Sequence, residues 1–203
     1  MKKIMFNSKY GLDKAVLEGR KTMTRRIIPN RVEVRESGYN ACGFCDENDR
    51  DVKPVYKVGE VIAIAQSYEK VYYENILNTQ CPTITVDEFN SPGWTNKMFV
   101  RAVLMPYAIK ITEVKVERLQ DITSEDCLKE GIESFSDFGK PESYIFTDNK
   151  NKIYPKGWCT NPREAFALLI DKVSGKDVFS SNPYVFVYEF TLIDNYVEAN
   201  KRI

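Results

Sequence analysis

Hydrophobic positions along the chain follow two patterns, one typical of buried strands and one typical of short amphipathic helices. Continuous or alternating apolar runs predict strands at residues 4–6, 23–28, 61–65, 102–119 and 184–190. Apolar residues at helical spacing predict helices at residues 10–18, 124–130 and 163–173. Because strands and helices do not alternate regularly, the element order favours an α+β fold built on a mixed β-barrel with short flanking helices.

Glycines mark the predicted ends of two of these helices. Gly19 follows the apolar positions of the first helix, and Gly131 follows those of the helix at residues 124–130. Both stand where a residue in the left-handed conformation commonly ends a helix. Thr123 and Asp126 resemble a capping box at the start of the second one.

Three polar stretches interrupt the pattern, at about residues 30–56, 68–98 and 133–161. They contain many turn-forming or charged residues and carry no sustained periodicity. The first is interpreted as an exposed excursion and the third as loop-rich. A chain of 203 residues suits one ordinary core, so we expect a single domain over residues 1–203 with three insertions.

Charge and composition exclude several classes of function. Lys plus Arg and Asp plus Glu both number 29, so any contact with RNA must come from a local patch. The absence of histidine removes Ser-His-Asp and Cys-His catalysis and leaves Lys, Asp, Glu, Tyr or Cys for acid–base chemistry. No apolar run approaches the roughly 20 residues that span a bilayer. With no export signal evident, we expect a cytoplasmic protein without membrane contact.

The five cysteines are an odd number, which favours reduced thiols over a disulfide framework. Cys42 and Cys45 form a C-x-x-C pair, which together with Cys81 and Cys159 is a candidate four-thiolate zinc site. A single C-x-x-C pair is a weak signal, so the zinc site stays an alternative. We predict no metal, no cofactor and no obligate protein partner.

The strongest candidate for a functional site is the polar segment that follows Gly19. Residues 20–26 contain two threonines, one lysine and three arginines. Guanidinium groups and hydroxyls in such a cluster can bind a polar or anionic ligand. A solvated basic edge strand has the same composition, so composition alone leaves both interpretations open.

A series of motifs resembles the ASCH domain family, a group of PUA-like β-barrels. The motifs occur in the family order at residues 17–26, 56–60, 114–123, 130–132 and 182–185. Between residues 114 and 132 the chain is especially similar to phage and prophage members. The resemblance implies a barrel with a cleft that binds RNA or a modified nucleoside.

One small bacterial branch of the family removes the acetyl group from N4-acetylcytidine with a lysine, a threonine and a glutamate. The resemblance to this branch implies Lys21, Thr24 and Glu130 as catalytic residues. Strand alternation would place Lys21 and Thr24 on opposite faces, so the trio requires the chain to be still turning at Lys21. A glutamate at a helix end, where cations are favoured, also invites a functional explanation.

The residues expected to bind the substrate come from two segments. Gln66, Ser67 and Tyr68 stand where many phage-type members carry an Arg-Glu-Thr-Trp-like run, and this departure leaves the substrate open. Arg20 and Arg26 are expected to contact the substrate or to stabilise an oxyanion.

We therefore expect hydrolysis of an amide on a modified nucleoside, activated by a lysine that burial or neighbouring cations keep neutral. Two alternatives remain at this point: an RNA-binding PUA-like module without catalysis, and a phage-encoded interaction protein with an inactive cleft.

Overall fold

The elements are taken from a computed structural model that describes residues 1–28, 33–35, 43–45, 51–77, 84–136, 142–156 and 159–193. The strands are β1 (Lys3–Ile4), β2 (Met23–Ile27), β3 (Glu33–Arg35), β4 (Gly43–Cys45), β5 (Asp51–Val52), β6 (Val61–Ile64), β7 (Ala108–Arg118), β8 (Glu133–Phe135), β9 (Ser143–Thr147), β10 (Ile153–Tyr154) and β11 (Tyr184–Ile193). The helices are α1 (Leu12–Leu17), α2 (Tyr68–Leu77), α3 (Val86–Phe89), α4 (Ser124–Lys129), α5 (Pro162–Ser174) and α6 (Val178–Ser181).

The central sheet has five strands in the order β1-β6-β7-β11-β2. Only β1 and β6 are parallel, and the other neighbouring pairs are antiparallel. The two longest strands, β7 and β11, lie at the middle of the sheet, where Tyr188 pairs with Val114 on one side and with Thr24 on the other. This mixed sheet with its helices confirms the predicted α+β class.

The predicted closed barrel is not formed by these strands. β1 and β2 are the two edges of the sheet, and no ladder joins them among the described residues. β1 is only two residues long, and the chain soon enters a 3₁₀ turn at Ser8–Tyr10. The guanidinium of Arg26 donates to the carbonyl oxygen of Met5 at 2.8 Å. A side chain therefore bridges the edges that a barrel would join by backbone pairing.

The insertions form small structures of their own. In the first, β3, β4 and β5 make a three-stranded antiparallel sheet in the segment interpreted as an exposed excursion. In the third, β8, β9 and β10 make another antiparallel sheet, and β9 packs against α5. The third insertion thus contains short paired strands that the sequence did not predict, joined by non-regular segments.

The strand β6 separates two hydrophobic cores. Ile62 and Ile64 belong to the main core, whereas Ala63 and Ala65 belong to a second core that the insertion at residues 68–98 helps to build. Alternating side chains of one strand thus face two apolar layers. This explains the continuous apolar run at residues 61–65, which is typical of a strand buried on both faces.

Candidate active site

The turn after α1 positions Lys21. Gly19 has a φ of 72°, so it ends the helix in the left-handed conformation, as predicted. The backbone N–H groups of Arg20 and Lys21 both donate to the carbonyl oxygen of Ala15 at 2.9 Å. Since β2 begins only at Met23, the chain is still turning at Lys21, and the geometric requirement of the trio is met.

The end of α4 brings Glu130 to the same place. Thr123 caps the start of this helix by accepting a hydrogen bond from the N–H of Asp126 at 3.1 Å. Glu130 is the residue that follows the helix, and Gly131, with a φ of 103°, redirects the chain after it. The N–H of Thr22 donates to the carbonyl oxygen of Lys129 at 3.0 Å, which ties the end of α4 to the start of β2.

Lys21 and Glu130 form a buried ion pair. The Lys21 Nζ donates to Glu130 Oε2 at 2.5 Å and to the Glu130 carbonyl oxygen at 2.8 Å. Lys21 is only 2% exposed. Burial lowers the pKa of Lys21; the charge of Glu130 acts in the opposite direction, and Arg26 and Arg25 lower the pKa further. The neutral amine is therefore easier to reach than in an exposed lysine.

One small cavity of about 50 Å³ joins the predicted catalytic residues. Lys21, Thr24 and Glu130 all line it, together with Arg26. Apolar side chains from the residues after β1 and from α1 and α5 form much of the remaining wall, namely Met5, Phe6, Leu12, Phe166, Leu169, Ile170 and Val173. Electrostatic interactions are stronger beside such an apolar wall than in water. The cavity has room for a few water molecules or a small acyl group.

Arg25 is a buried member of the site, whereas the sequence predicted only a cation near Lys21. Its side chain is 1% exposed and contacts the carboxylates of Glu117, Asp126 and Glu130. In β2, Arg25 alternates with Thr24 and Arg26, so it lies on the opposite face of the strand from these two cavity residues. The sequence contained two indications of a buried Arg25: this alternation, and the acidic residues at the start of the predicted helix at residues 124–130.

The residues predicted to bind substrate do not all meet at this cavity. Arg26 lines it, but Arg20, Gln66 and Ser67 line a separate cleft of about 1160 Å³. The separation follows from the position of α1 and the 3₁₀ turn before it, because Leu12 lines the small cavity and Asp13 lines the large cleft. The single cleft expected from the sequence is thus two cavities.

Arg20 and Tyr68 have contacts that differ from the expected ones. The guanidinium of Arg20 forms ion pairs with Glu18 at 2.7 Å and with Glu133 at 3.2 Å. Tyr68 is buried in the second core, where its hydroxyl accepts a hydrogen bond from the N–H of Arg101 at 2.8 Å. Its ring lies so close to Gly93 that a Cβ there would be 2.5 Å from it. We therefore assign Tyr68 to packing.

The large cleft contains equal numbers of acidic and basic side chains. These are Asp13, Glu18, Glu133 and Asp148 with Lys14, Arg20, Lys70 and Lys97. Several are paired or hydrogen-bonded: Lys70 contacts Asp13 at 3.2 Å, and Lys97 donates to Ser8 Oγ at 2.8 Å. Burial lowers the pKa of Lys97. A cleft of balanced charge offers no strong field to attract a polyanion.

Two cysteines, Cys127 and Cys159, have side chains in the described part of the chain. Cys127 and Cys159 are buried free thiols, and burial raises the pKa of Cys127 to about 12. Cys42, Cys81 and the side chain of Cys45 lie outside the described residues, so the four-thiolate zinc site stays a prediction. Within the described residues, no group of three or more Cys, Asp or Glu side chains is arranged to hold a metal ion.

Comparison of the chain with protein-family models, with curated proteins and with solved structures found no match. Across the described part of the chain, no helix has the length and apolar character needed to cross a membrane. The resemblance to the ASCH family thus stays a prediction that the sequence motifs carry.

Proposed function

We propose that the protein hydrolyses an amide on a modified nucleoside, with N4-acetylcytidine as the reference substrate. The observation that carries this proposal is the buried Lys21–Glu130 ion pair, which shares one cavity with Thr24. A lysine of lowered pKa, a hydroxyl and a carboxylate supply a base, a nucleophile and a proton carrier. These three groups can hydrolyse an amide in a chain that has no histidine.

In the proposed reaction, the neutral amine of Lys21 accepts a proton from the nucleophile, which is the hydroxyl of Thr24 or a water beside it. The oxygen of the nucleophile bonds to the acyl carbon, and the carbonyl oxygen becomes an oxyanion that Arg26 stabilises. The bond between the acyl carbon and the exocyclic nitrogen then breaks. Lys21 and Glu130 deliver the proton to that nitrogen. If Thr24 is the nucleophile, water then releases the acyl group as acetate.

The size of the cavity sets how the substrate enters in this scheme. Sites that enclose a whole small ligand usually hold about 300–1,000 Å³. The cavity of about 50 Å³ is much smaller, so we propose that only the acetyl group enters it. The base and ribose would lie at its mouth, and Asn7 and Arg26 are the polar lining residues, other than the trio, that are available to contact them.

The proposal includes the relation to PUA-like ASCH domains and a cytoplasmic location. Lys21 and Arg25, the two cations that contact Glu130, both come from the motif at residues 17–26, which supports the resemblance. The open five-stranded sheet would then be a variant of the PUA-like barrel in which Arg26 bridges the unpaired edges.

Binding of RNA through this segment is the second candidate, and the ion pairs count against it. Lys21 and Arg25 are buried against carboxylates, and Arg20 is paired with Glu18 and Glu133. Affinity for RNA depends on cations that neutralise phosphates. Cations already paired with carboxylates supply less of this neutralisation, so the geometry favours chemistry.

The proposal is tested by incubating purified protein with N4-acetylcytidine, other acylated nucleosides and unmodified cytidine, and measuring the released acid and nucleoside. Glu130→Gln keeps size and hydrogen bonding but cannot carry the proton, so we expect a loss of about a hundredfold or more. Glu125→Gln, an exposed change on the same helix, is the matched control.

Two results would contradict the proposal: hydrolysis of no acylated nucleoside by the wild-type protein, or a wild-type rate in Glu130→Gln. RNA binding would then be measured over a range of salt concentrations. For single-stranded RNA, the logarithm of the binding constant should fall with the logarithm of the salt concentration, with a slope of roughly 0.7 per phosphate neutralised.

A further inference from the structure

Arg25 contacts three carboxylates, one in β7 and two in or directly after α4. Its Nη2 donates to Glu117 Oε1 at 2.6 Å and to Asp126 Oδ2 at 2.8 Å, and its Nη1 donates to Glu130 Oε1 at 3.1 Å. The planar guanidinium suits this arrangement, because its donors point in fixed directions. Arg25 therefore joins β7, α4 and the residue that follows α4 at one point.

Glu130 lies between two cations as a result. Its Oε2 accepts from Lys21 at 2.5 Å, and its Oε1 accepts from Arg25 at 3.1 Å. Arginine stays charged at every pH at which proteins are studied. Glu130 therefore interacts with a second, permanent cation, and it stabilises the Lys21 ammonium less than it would without Arg25.

We propose that Arg25 is a positioning residue for the proposed reaction: its guanidinium fixes the carboxylate of Glu130 and takes part of its charge, so that Lys21 can serve as a base. The catalytic meaning of this inference rests on the proposed function. The effect of Arg25 on Lys21 does not depend on which substrate is used.

The charges around Lys21 give the direction of the effect. Glu130 faces it from the end of α4, and Arg25 and Arg26 act on it from β2. Removing the charge of Arg25 removes its repulsion of the Lys21 ammonium. It also leaves Lys21 as the cation that pairs with Glu130 in place of the two present now. Both changes stabilise the ammonium and raise the pKa of Lys21. Removing the charge of Glu117 acts in the opposite direction, because Arg25 then has one carboxylate fewer to compensate it.

A purely structural role for Arg25 predicts a different result. The same contacts hold α4 against the sheet, so changes at Arg25 will reduce stability whether or not it acts on Lys21. Stability alone therefore cannot decide the matter. The titration of Lys21 can, because a structural tie gives no reason for its pKa to move in opposite directions in two variants.

The experiment is a ¹³C NMR titration of the lysine Cε signals, with the Lys21 signal identified by its absence in Lys21→Met. We expect Arg25→Gln to raise the pKa of Lys21 by about one unit or more, and Glu117→Gln to lower it. Arg25→Lys keeps the charge and should leave the titration near that of the wild type. Lys110→Gln, an exposed change on the same strand β7, is the control and should leave the Lys21 titration unchanged.

Activity provides the second readout. In the proposed reaction, kcat/KM for N4-acetylcytidine increases with pH as Lys21 loses its proton. This increase should move to higher pH in Arg25→Gln. In Arg25→Lys the increase should stay in place while kcat falls, because an ammonium cannot hold three carboxylates in fixed directions. The pH of the increase reports the Lys21–Glu130 pair and not one residue alone.

The outcomes separate this inference from the proposed function. An unchanged Lys21 titration in Arg25→Gln overturns the inference, and if that variant does not fold, the absence of a downward shift in Glu117→Gln does the same. Shifted titrations without any hydrolysis would leave the charge coupling standing and remove the proposed function.

Discussion

At the scale of single residues, the site depends on a lysine that the fold keeps out of water. Burial holds the pKa of Lys21 below its ordinary value of 10.5. Between the lowered pKa and about 10.5, the unfolded chain therefore binds more protons than the folded chain, and the contribution of Lys21 to stability rises with pH. Below that window the cost of burying the ammonium is fully present.

Unfolding in urea from pH 7 to pH 10 checks this prediction. We expect the free energy of unfolding of the wild type to rise with pH relative to that of Lys21→Met. Lys97→Met is a useful comparison, because burial lowers the pKa of Lys97 as well. The contribution of Lys97 to the free energy of unfolding should therefore also rise with pH. A difference between wild type and Lys21→Met that is flat or falls with pH would contradict the electrostatic picture.

The sequence supported part of this residue-scale account. Lys21, Thr24 and Glu130 were predicted from motifs, and the turn at Gly19 is a local property that glycine specifies. The role of Arg25 was not predictable in the same way, because Glu117 and Asp126 lie 92 and 101 positions farther along the chain. Whether an arginine in a basic segment is solvated or buried depends on partners that only the tertiary structure supplies.

At the scale of elements, the end of α4 has to place Glu130 against Lys21. Gly131 has a φ of 103°, and a Cβ there would lie 3.2 Å from Leu12 Cδ2 and 3.7 Å from Lys21 Cδ. Gly19 has a φ of 72°, and a Cβ there would have no heavy atom within 4 Å. The two glycines therefore separate backbone strain from crowding of the site.

We predict that Gly19→Ala costs about 1–2 kcal/mol of stability from strain alone. Gly131→Ala should cost more, and it alone should slow hydrolysis, because its methyl group must shift Leu12, which lines the cavity, and would touch the Lys21 stem. Thermal unfolding and the rate of acetate release measure both effects. Equal costs and equal rates for the two variants would show that Gly131 has only a backbone role.

Elements differed in how well the sequence predicted them. Helix ends at Gly19 and Gly131 were predicted because a helix ends through local backbone geometry. The small sheets formed by β3–β5 and β8–β10 were missed because strands of two to five residues carry too little periodicity to recognise. Such strands gain their stability from pairing with each other, which the local sequence does not reveal.

At the scale of the whole molecule, the sheet stays open and the cavities stay separate. The α+β class followed from the order of elements, but the closure of a barrel depends on whether two distant edge strands pair. Here Arg26 bridges β1 and β2 through Met5. The helix α1 divides the expected cleft, so that the predicted trio and the large neutral cleft lie on different sides of it.

The central claim is that Lys21, Thr24 and Glu130 form one hydrolytic site, and the rate of acetate release from N4-acetylcytidine by wild type and Lys21→Ala tests it most directly. Lys129→Ala, an exposed change beside Glu130, is the control, and circular dichroism verifies that each variant folds. We predict that Lys21→Ala loses most of the activity, on the order of a hundredfold or more, while Lys129→Ala keeps it. Adding Glu130→Gln to Lys21→Ala should cost little further, because residues that act as a unit are not additive. Full activity in a folded Lys21→Ala protein would contradict the account.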